Sequence, residues 1–295
     1  MKKIISGDNS IENKPIYVIS DLHIGDKSRK NIFVKSGREK LFERLLDHVE
    51  QENGQLIILG DFLELWWYKP YKVISSMRAL LDRIDEMPVV FVPGNHDNEV
   101  LNIDETNRAY HPLFRKISGP FTQTIGSRRF RFMHGHEIDP FMPQRIDRCG
   151  RLFGSIAPVF RLTCCYKFVY SDFVSDLSLD VRERILKSWN KVSSKLLEKL
   201  EHYGPFPAVQ VSFIKHLLQD KTILSRHYRE KGTGFYDVVV SGHTHRAAGV
   251  DDWYYNSGSW MGSTNDFILI EPDGKTEVLQ WTAGGVQFNN RLFEH

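Results

Sequence analysis

The chain has 295 residues, 41% of them apolar, with 39 Lys and Arg against 37 Asp and Glu. That length fits one large domain or one domain carrying an insertion, and the near-neutral charge gives no reason to expect nucleic acid as a partner, because duplex binding is mainly phosphate electrostatics. Three cysteines, Cys149, Cys164 and Cys165, are an odd count with no C-x-x-C spacing, which argues against a disulfide framework and a cysteine-ligated zinc site.

The opening "MKKIISGDNS" lacks the apolar core of a signal peptide. No apolar run approaches the roughly 20 residues of a membrane span. The expectation is a cytoplasmic protein, with peripheral membrane contact left open. "PIYVIS" then reads as a strand. "GREKLFERLLDHVEQENG" places Leu41, Phe42, Leu45, Leu46 and Val49 at helical spacing with a glycine just beyond. "QLIILGD" is a second buried strand, "VISSMRALLDRIDEM" a second helix and "PVVFVPGNHD" a third strand. Strands alternating with helices of this length predict parallel βαβ units. Further on, "RRFRFMHG", "FYDVVVSGH", "WYYNSGSW", "NDFILIEPDG" and "KTEVLQWT" are short runs joined by turns, expected to form a meander or a second sheet.

Between Pro140 and Gly232 strand signals fade and helical ones dominate, with 16 Lys and Arg against 9 Asp and Glu. Aromatic residues, among them Phe153, Phe160, Phe168 and Phe173, are interleaved with these charges. The expected division is a core from residues 1–140 and 233–295 and a helical insertion from 141–232 that caps it. The aromatics either face a ligand or fill the insertion's own small core.

Five apolar runs end in polar clusters: Asp21 with His23; Gly60-Asp61; Gly94-Asn95-His96-Asp97; His134; and His243 with His245. Open α/β sheets build their sites at the carboxyl ends of strands. If extended geometry persists past the strand end, residues two apart project to the same side, so Asp21 and His23, and His243 and His245, would each aim at one point. Carboxylate, imidazole and amide without thiolate suit manganese, iron or zinc. Asp61, alone at a strand end behind Gly60, is the candidate to bridge two ions.

The set D-x-H, G-D, G-N-H-D, H and G-H-x-H, spread from Asp21 to His245, resembles the calcineurin-like metallophosphoesterases. The resemblance implies a two-sheet αββα sandwich. It implies one divalent ion on Asp21, His23, Asp61 and His245, and a second on Asp61, Asn95, His134 and His243. Within "MHGHE" the ligand is His134 or His136; His134 follows the strand directly and matches the family's order. A metal-activated hydroxide would attack phosphorus, with manganese the first choice of metal and iron or zinc also fitting. His96 would approach the leaving-group or a phosphoryl oxygen, with Asp97 orienting its ring. Glu64 is either outer support of this kind or a partly exposed acid, and Trp66 and Trp67 either line the site or, by default, belong to the core. The other histidines, His48, His111, His202, His216, His227 and His295, read as packed or solvated.

"GDFLELWW", "GHTHR", "NSGSW" and the helical insertion look like one branch of that family, the UDP-2,3-diacylglucosamine diphosphatases. That resemblance implies a nucleotide-sugar lipid substrate, an insertion covering its acyl chains, and phosphate contacts from Arg246, Arg145, Arg148 and Arg151. One residue departs: many members of the branch carry Arg at the position of His96. A phosphate leaves without a proton, whereas an alkoxide needs a donor, which His supplies and Arg does not. His96 therefore pulls the expectation toward a general phosphomonoesterase or phosphodiesterase. A nuclease and a silent scaffold are the remaining alternatives.

Overall fold

The computed structural model describes residues 14–27, 31–139, 223–224, 226–261 and 264–288, the side chain of residue 32 excepted. Two sheets carry the fold. The first holds β1 (Ile16–Ile19), β2 (Gln55–Leu59), β3 (Val89–Val92), β9 (Asp266–Ile270), β10 (Thr276–Thr282) and β11 (Gly285–Phe288), in the order β11-β10-β9-β1-β2-β3. The second holds β4 (Phe121–Ile125), β5 (Arg128–Phe132), β6 (Val238–Ser241), β7 (Ala247–Val250) and β8 (Tyr254–Ser257), in the order β4-β5-β6-β8-β7. The segments β1, β2 and β3 run parallel, as do β5, β6 and β8.

Strand alternation sorts the side chains into layers. Tyr17, Ile19, Leu56, Ile58, Val89 and Phe91 pack against helices, with Phe42, Leu45, Leu46 and Val49 of α2 (Arg38–Gln51). Ile16, Val18, Ile57, Leu59 and Val92 turn the other way and meet Phe130, Phe132, Val238 and Val240 of the second sheet. Strands buried on both faces explain the continuous apolar runs of the sequence. On the outer face of the second sheet Val239, Tyr254, Trp253 and Ile223 form a third cluster. Residues 226–231 are helical there. The architecture is thus the expected αββα sandwich.

Local differences have local causes. The run 73–87 predicts one helix; the structure has α3 (Pro70–Ser76) and α4 (Arg78–Glu86), parted at Met77, whose ψ of 14° leaves the helical range. A short α1 (Ile32–Lys35) precedes α2. The later runs do not form one second sheet: β9, β10 and β11 join the first, with β9 antiparallel to β1. Most of the expected insertion, with Arg145, Arg148 and Arg151, lies outside the described residues. Residues 223–224 and 226–231, at its expected end, pack on the sandwich through Ile223 and its neighbours. Among the described residues no helix is long and apolar enough to cross a membrane.

Candidate metal centre

The chain stays paired after its strands end. The amides of Asp21, His23 and Ile24 donate to the carbonyls of Gly60 (3.0 Å), Asp61 (2.9 Å) and Phe62 (2.8 Å). The backbone there is not extended. Asp21, His23, Asp61, His243 and His245 all have positive φ, between 47° and 71°. They are five of the eight non-glycine residues with positive φ among those described, so left-handed backbone concentrates here. The paired groups do converge, but through left-handed turns rather than through continued strands. Gly60 and Gly94 admit the close packing: a Cβ on Gly60 would lie 2.3 Å from His134 Nδ1, and one on Gly94 2.2 Å from Asp61 Oδ1.

Two groups of ligand-type atoms share Asp61. Asp21, His23, Asp61 and His245 form one, and Asp61, His134 and His243 the other; within each group the atoms lie within 4.8 Å of one another. His245 Nε2 is 3.0 Å from Asp21 Oδ1 and 3.2 Å from His23 Nε2. His134 Nε2 is 3.3 Å from Asp61 Oδ2, and His23 Nε2 is 3.8 Å from both Asp21 and Asp61. Ligand atoms about 2.1 Å from a shared ion lie about 3.0–3.4 Å apart, so the spacing fits such ions. A second observation tests the fit. Asn95 Oδ1 and His134 Nε2 are buried without a hydrogen-bond partner, which is costly unless something else engages them. His134 Nδ1–H donates to the Leu59 carbonyl at 2.7 Å, which makes Nε2 the lone-pair nitrogen. Asn95 stands between Gly94 and His96, whose amide donates to Asp61 Oδ1 at 2.8 Å.

The charges agree. Burial works to raise Asp61, but His134, His96 and His23 hold it well below the usual carboxylate range. Asp21 is held low in the same way by His245 and His23. Conversely, burial opposes the His134 cation, yet Asp61 and Asp21 push it up to about 10. Burial opposes the His23 cation as well, but Asp21 and Glu64 raise it well above its ordinary value. Buried carboxylates here draw positive charge onto neighbouring imidazoles, a role a divalent ion takes over when it displaces those protons.

His96 is held differently from the expectation. Its Nδ1 lies 2.9 Å from Glu64 Oε1, and the same carboxylate reaches His23 Nδ1 at 3.0 Å. Asp97 does not orient the ring. It is buried and accepts from the amides of Phe62 (2.7 Å), Leu63 (3.1 Å) and Gly94 (2.6 Å), because its side chain turns under the Asp61 loop. Burial and the charge of Asp61 raise Asp97 to about 6. Glu64 is buried; burial would raise it, but His96 and His23 hold it at about 2. In the trio His23, Glu64 and His96 the Glu64 carboxylate takes the Nδ1 atoms of both rings at 2.9–3.0 Å, which leaves His23 Nε2 to the first ligand group. Trp66 stacks on His96, and Trp67 is 49% exposed, so neither belongs to the core.

Other residues fall into place around this set. His136 lies beside His134, ring centroids 5.4 Å apart, outside both ligand groups, with Nδ1 3.5 Å from Glu137; burial and His134 lower it to about 4. Asp139, a buried carboxylate that the sequence reading passed over, lies 2.9 Å from His243 Nε2; its only signal was an acid in the strand-end run "HGHEID". Arg246 is partly buried directly after His245. Of the other histidines, His111 and His227 are packed and His48 contacts Tyr17; His202, His216 and His295 lie outside the described residues.

The family model described as calcineurin-like phosphoesterase matches residues 14–247. No curated protein matches the chain. Among solved structures, zinc-complexed Vps29 from Entamoeba histolytica aligns at 12% identity and a TM-score of 0.39, over 92% of this chain and 96% of that one. Vacuolar protein sorting 29 from Cryptosporidium parvum aligns at 14% and 0.37, over 93% and 94%. A predicted phosphoesterase from Streptococcus pneumoniae aligns at 13% and 0.31, over 93% and 95%. At this level of similarity these neighbours bear on neither substrate nor metal. The chain belongs to the calcineurin-like phosphoesterases, which use divalent metals, and is a phosphoester hydrolase.

Proposed function

We propose that this calcineurin-like phosphoesterase is a dinuclear hydrolase acting on a phosphoester whose leaving group is an alkoxide. The observation that carries the reading is Asp61, one carboxylate common to two groups of ligand atoms. Asp21, His23, Asp61 and His245 would hold one ion; Asp61, Asn95, His134 and His243 would hold the other. Their mixed oxygen and nitrogen donors accept manganese, iron or zinc, and manganese is the first choice. When bound, two divalent ions supply Lewis acidity at the phosphoryl oxygens and make water a nucleophile at neutral pH.

The chain's own groups do the rest. His96 Nδ1–H donates to Glu64, which leaves Nε2, 4.0 Å from Asp61 Oδ2, to face the phosphoester. From Nε2 a proton passes to the departing oxygen, a step worth about 10²–10⁴-fold. Glu64 stays ionised and stabilises the positive ring while it carries that proton. Asp97 fixes the loop that holds Asn95 and His96.

A second reading is a pyrophosphatase acting on a nucleotide-sugar lipid, with substrate contacts from Arg246, Arg145, Arg148 and Arg151. The motifs "GDFLELWW", "GHTHR" and "NSGSW" and the basic, aromatic-rich insertion favour it. Such a substrate would bring the protein to a membrane surface from the cytoplasm. The test is Asp61→Ala, measured for bound metal and for turnover of p-nitrophenyl phosphate with Mn²⁺. Both should fall together, turnover by at least about 10³-fold. A variant with wild-type turnover and two bound ions contradicts the bridging role. Assay of alkyl phosphomonoesters, diesters and UDP-2,3-diacylglucosamine side by side separates the two substrate readings.

A further inference from the structure

Trp66 belongs to neither ligand group, yet it touches the residue that carries the proton. Its indole lies flat on the His96 imidazole, ring centroids 3.8 Å apart and planes 18° from parallel. Its Nε1–H donates to the Asn95 carbonyl at 2.8 Å. Beside it, the Leu65 amide donates to the His96 carbonyl at 3.2 Å. One side chain therefore grips both halves of the Asn95–His96 pair, the backbone of the first and the ring of the second. The remaining edges of that ring are held too: Glu64 takes Nδ1, and His23 meets the ring edge-on at 4.6 Å. Without the indole, one face of His96 opens and the ring gains orientations in which Nε2 no longer faces Asp61. A displacement of about 1 Å in a reacting group can cost about 10²-fold in rate.

We infer that Trp66 is a positioning residue for proton transfer, holding Asn95 only by its backbone carbonyl and acting on turnover through the ring of His96. The inference rests on the reading of His96 as proton donor given above. Trp66→Ala is expected to lower kcat about 10–100-fold on an alkyl phosphoester and to leave KM within about threefold. On p-nitrophenyl phosphate, whose leaving group departs without a proton, the loss should stay under about threefold. Trp66→Phe keeps a ring face and removes the N–H; it should fall between wild type and Trp66→Ala, and it serves where the alanine variant folds poorly.

The deciding experiment is a double-mutant cycle with His96→Ala on the manganese-loaded enzyme, with bound metal measured for all variants. Trp66→Ala should cost nothing further once His96 is gone, with metal content equal to wild type. The same fractional loss in both backgrounds, or a loss of bound metal that accounts for the slower turnover, overturns the inference alone. If His96→Ala slows both leaving-group classes equally, the proton-donor reading falls and this inference falls with it.

Discussion

At the scale of single residues, the centre is built from side chains whose backbone is unusual for their type. Asp21, His23, Asp61, His243 and His245 adopt left-handed φ, a conformation found in only a few per cent of non-glycine residues. It persists where surrounding contacts over-determine it, and here amide-to-carbonyl bonds from Asp21 and His23 to Gly60 and Asp61 do so. Substituting Gly94→Ala should break the centre, because the new methyl would collide with Asp61 Oδ1 and with the Asp61 backbone nitrogen, 2.2 and 2.5 Å away. Bound manganese should fall at least about tenfold; unchanged metal content would show that the Asp61 loop moves aside freely. His96→Gln should slow alkyl phosphoesters about 10²–10⁴-fold and p-nitrophenyl phosphate far less, as read from kcat on the two substrates; equal losses would remove His96 from proton transfer. The residue types and order along the chain made the ligand-type groups legible, and the structure brings Asp21, His23, Asp61, His134, His243 and His245 together. The partner of His96 was not legible. Asp97 is its neighbour in sequence, but Glu64 reaches it from the next loop, and only the fold shows which acid turns inward.

Among elements, the loops after β2 and β3 behave as one body. Asp97 accepts three amides, Asp61 accepts the His96 amide, and Leu65 and Trp66 donate to the carbonyls of His96 and Asn95. Asp97→Ala leaves three amide donors without their acceptor and should destabilise the protein by on the order of 3–5 kcal/mol, read by urea unfolding; a change under about 1 kcal/mol would mean the loops are held by something else. The helical residues 226–231 carry a pH effect. His227 is fully buried, neither ring nitrogen has a hydrogen-bond partner, and burial lowers it to about 3. The folded state therefore resists a proton that the unfolded chain accepts below about 6.5. Its stabilising contribution is complete above that pH and is lost as pH falls toward about 3, at about 1.4 kcal/mol per pH unit. His227→Leu should flatten the acid limb of stability against pH; an unchanged slope would mean His227 takes up a proton without cost. Long, strongly periodic elements such as α2 were legible, whereas β4, β7 and β11 were not. The strand β4 is half-exposed "FTQTI", β7 is "AAGV" and β11 is four residues long, so none carries a strong apolar signal.

On the scale of the whole molecule, the fold works by bringing strand ends from two sheets to one place. The strands β1, β2 and β3 deliver Asp21, His23, Asp61, Asn95 and His96, while β5 and β6 deliver His134, His243 and His245. Parallel pairing within each set makes those ends point the same way. Alternating strands and helices announced the first set. The joining of β9, β10 and β11 to the first sheet could not be read, because apolar patterning shows that a strand is buried and not which edge it pairs with. The account as a whole stands on two cations sharing Asp61. Crystals grown with Mn²⁺ and measured at the manganese absorption edge test this directly. The predicted result is two anomalous peaks about 3.5–4 Å apart with Asp61 between them, one beside Asp21, His23 and His245 and the other beside Asn95, His134 and His243. A map with no peak at Asp61, or with manganese bound only elsewhere, would contradict it.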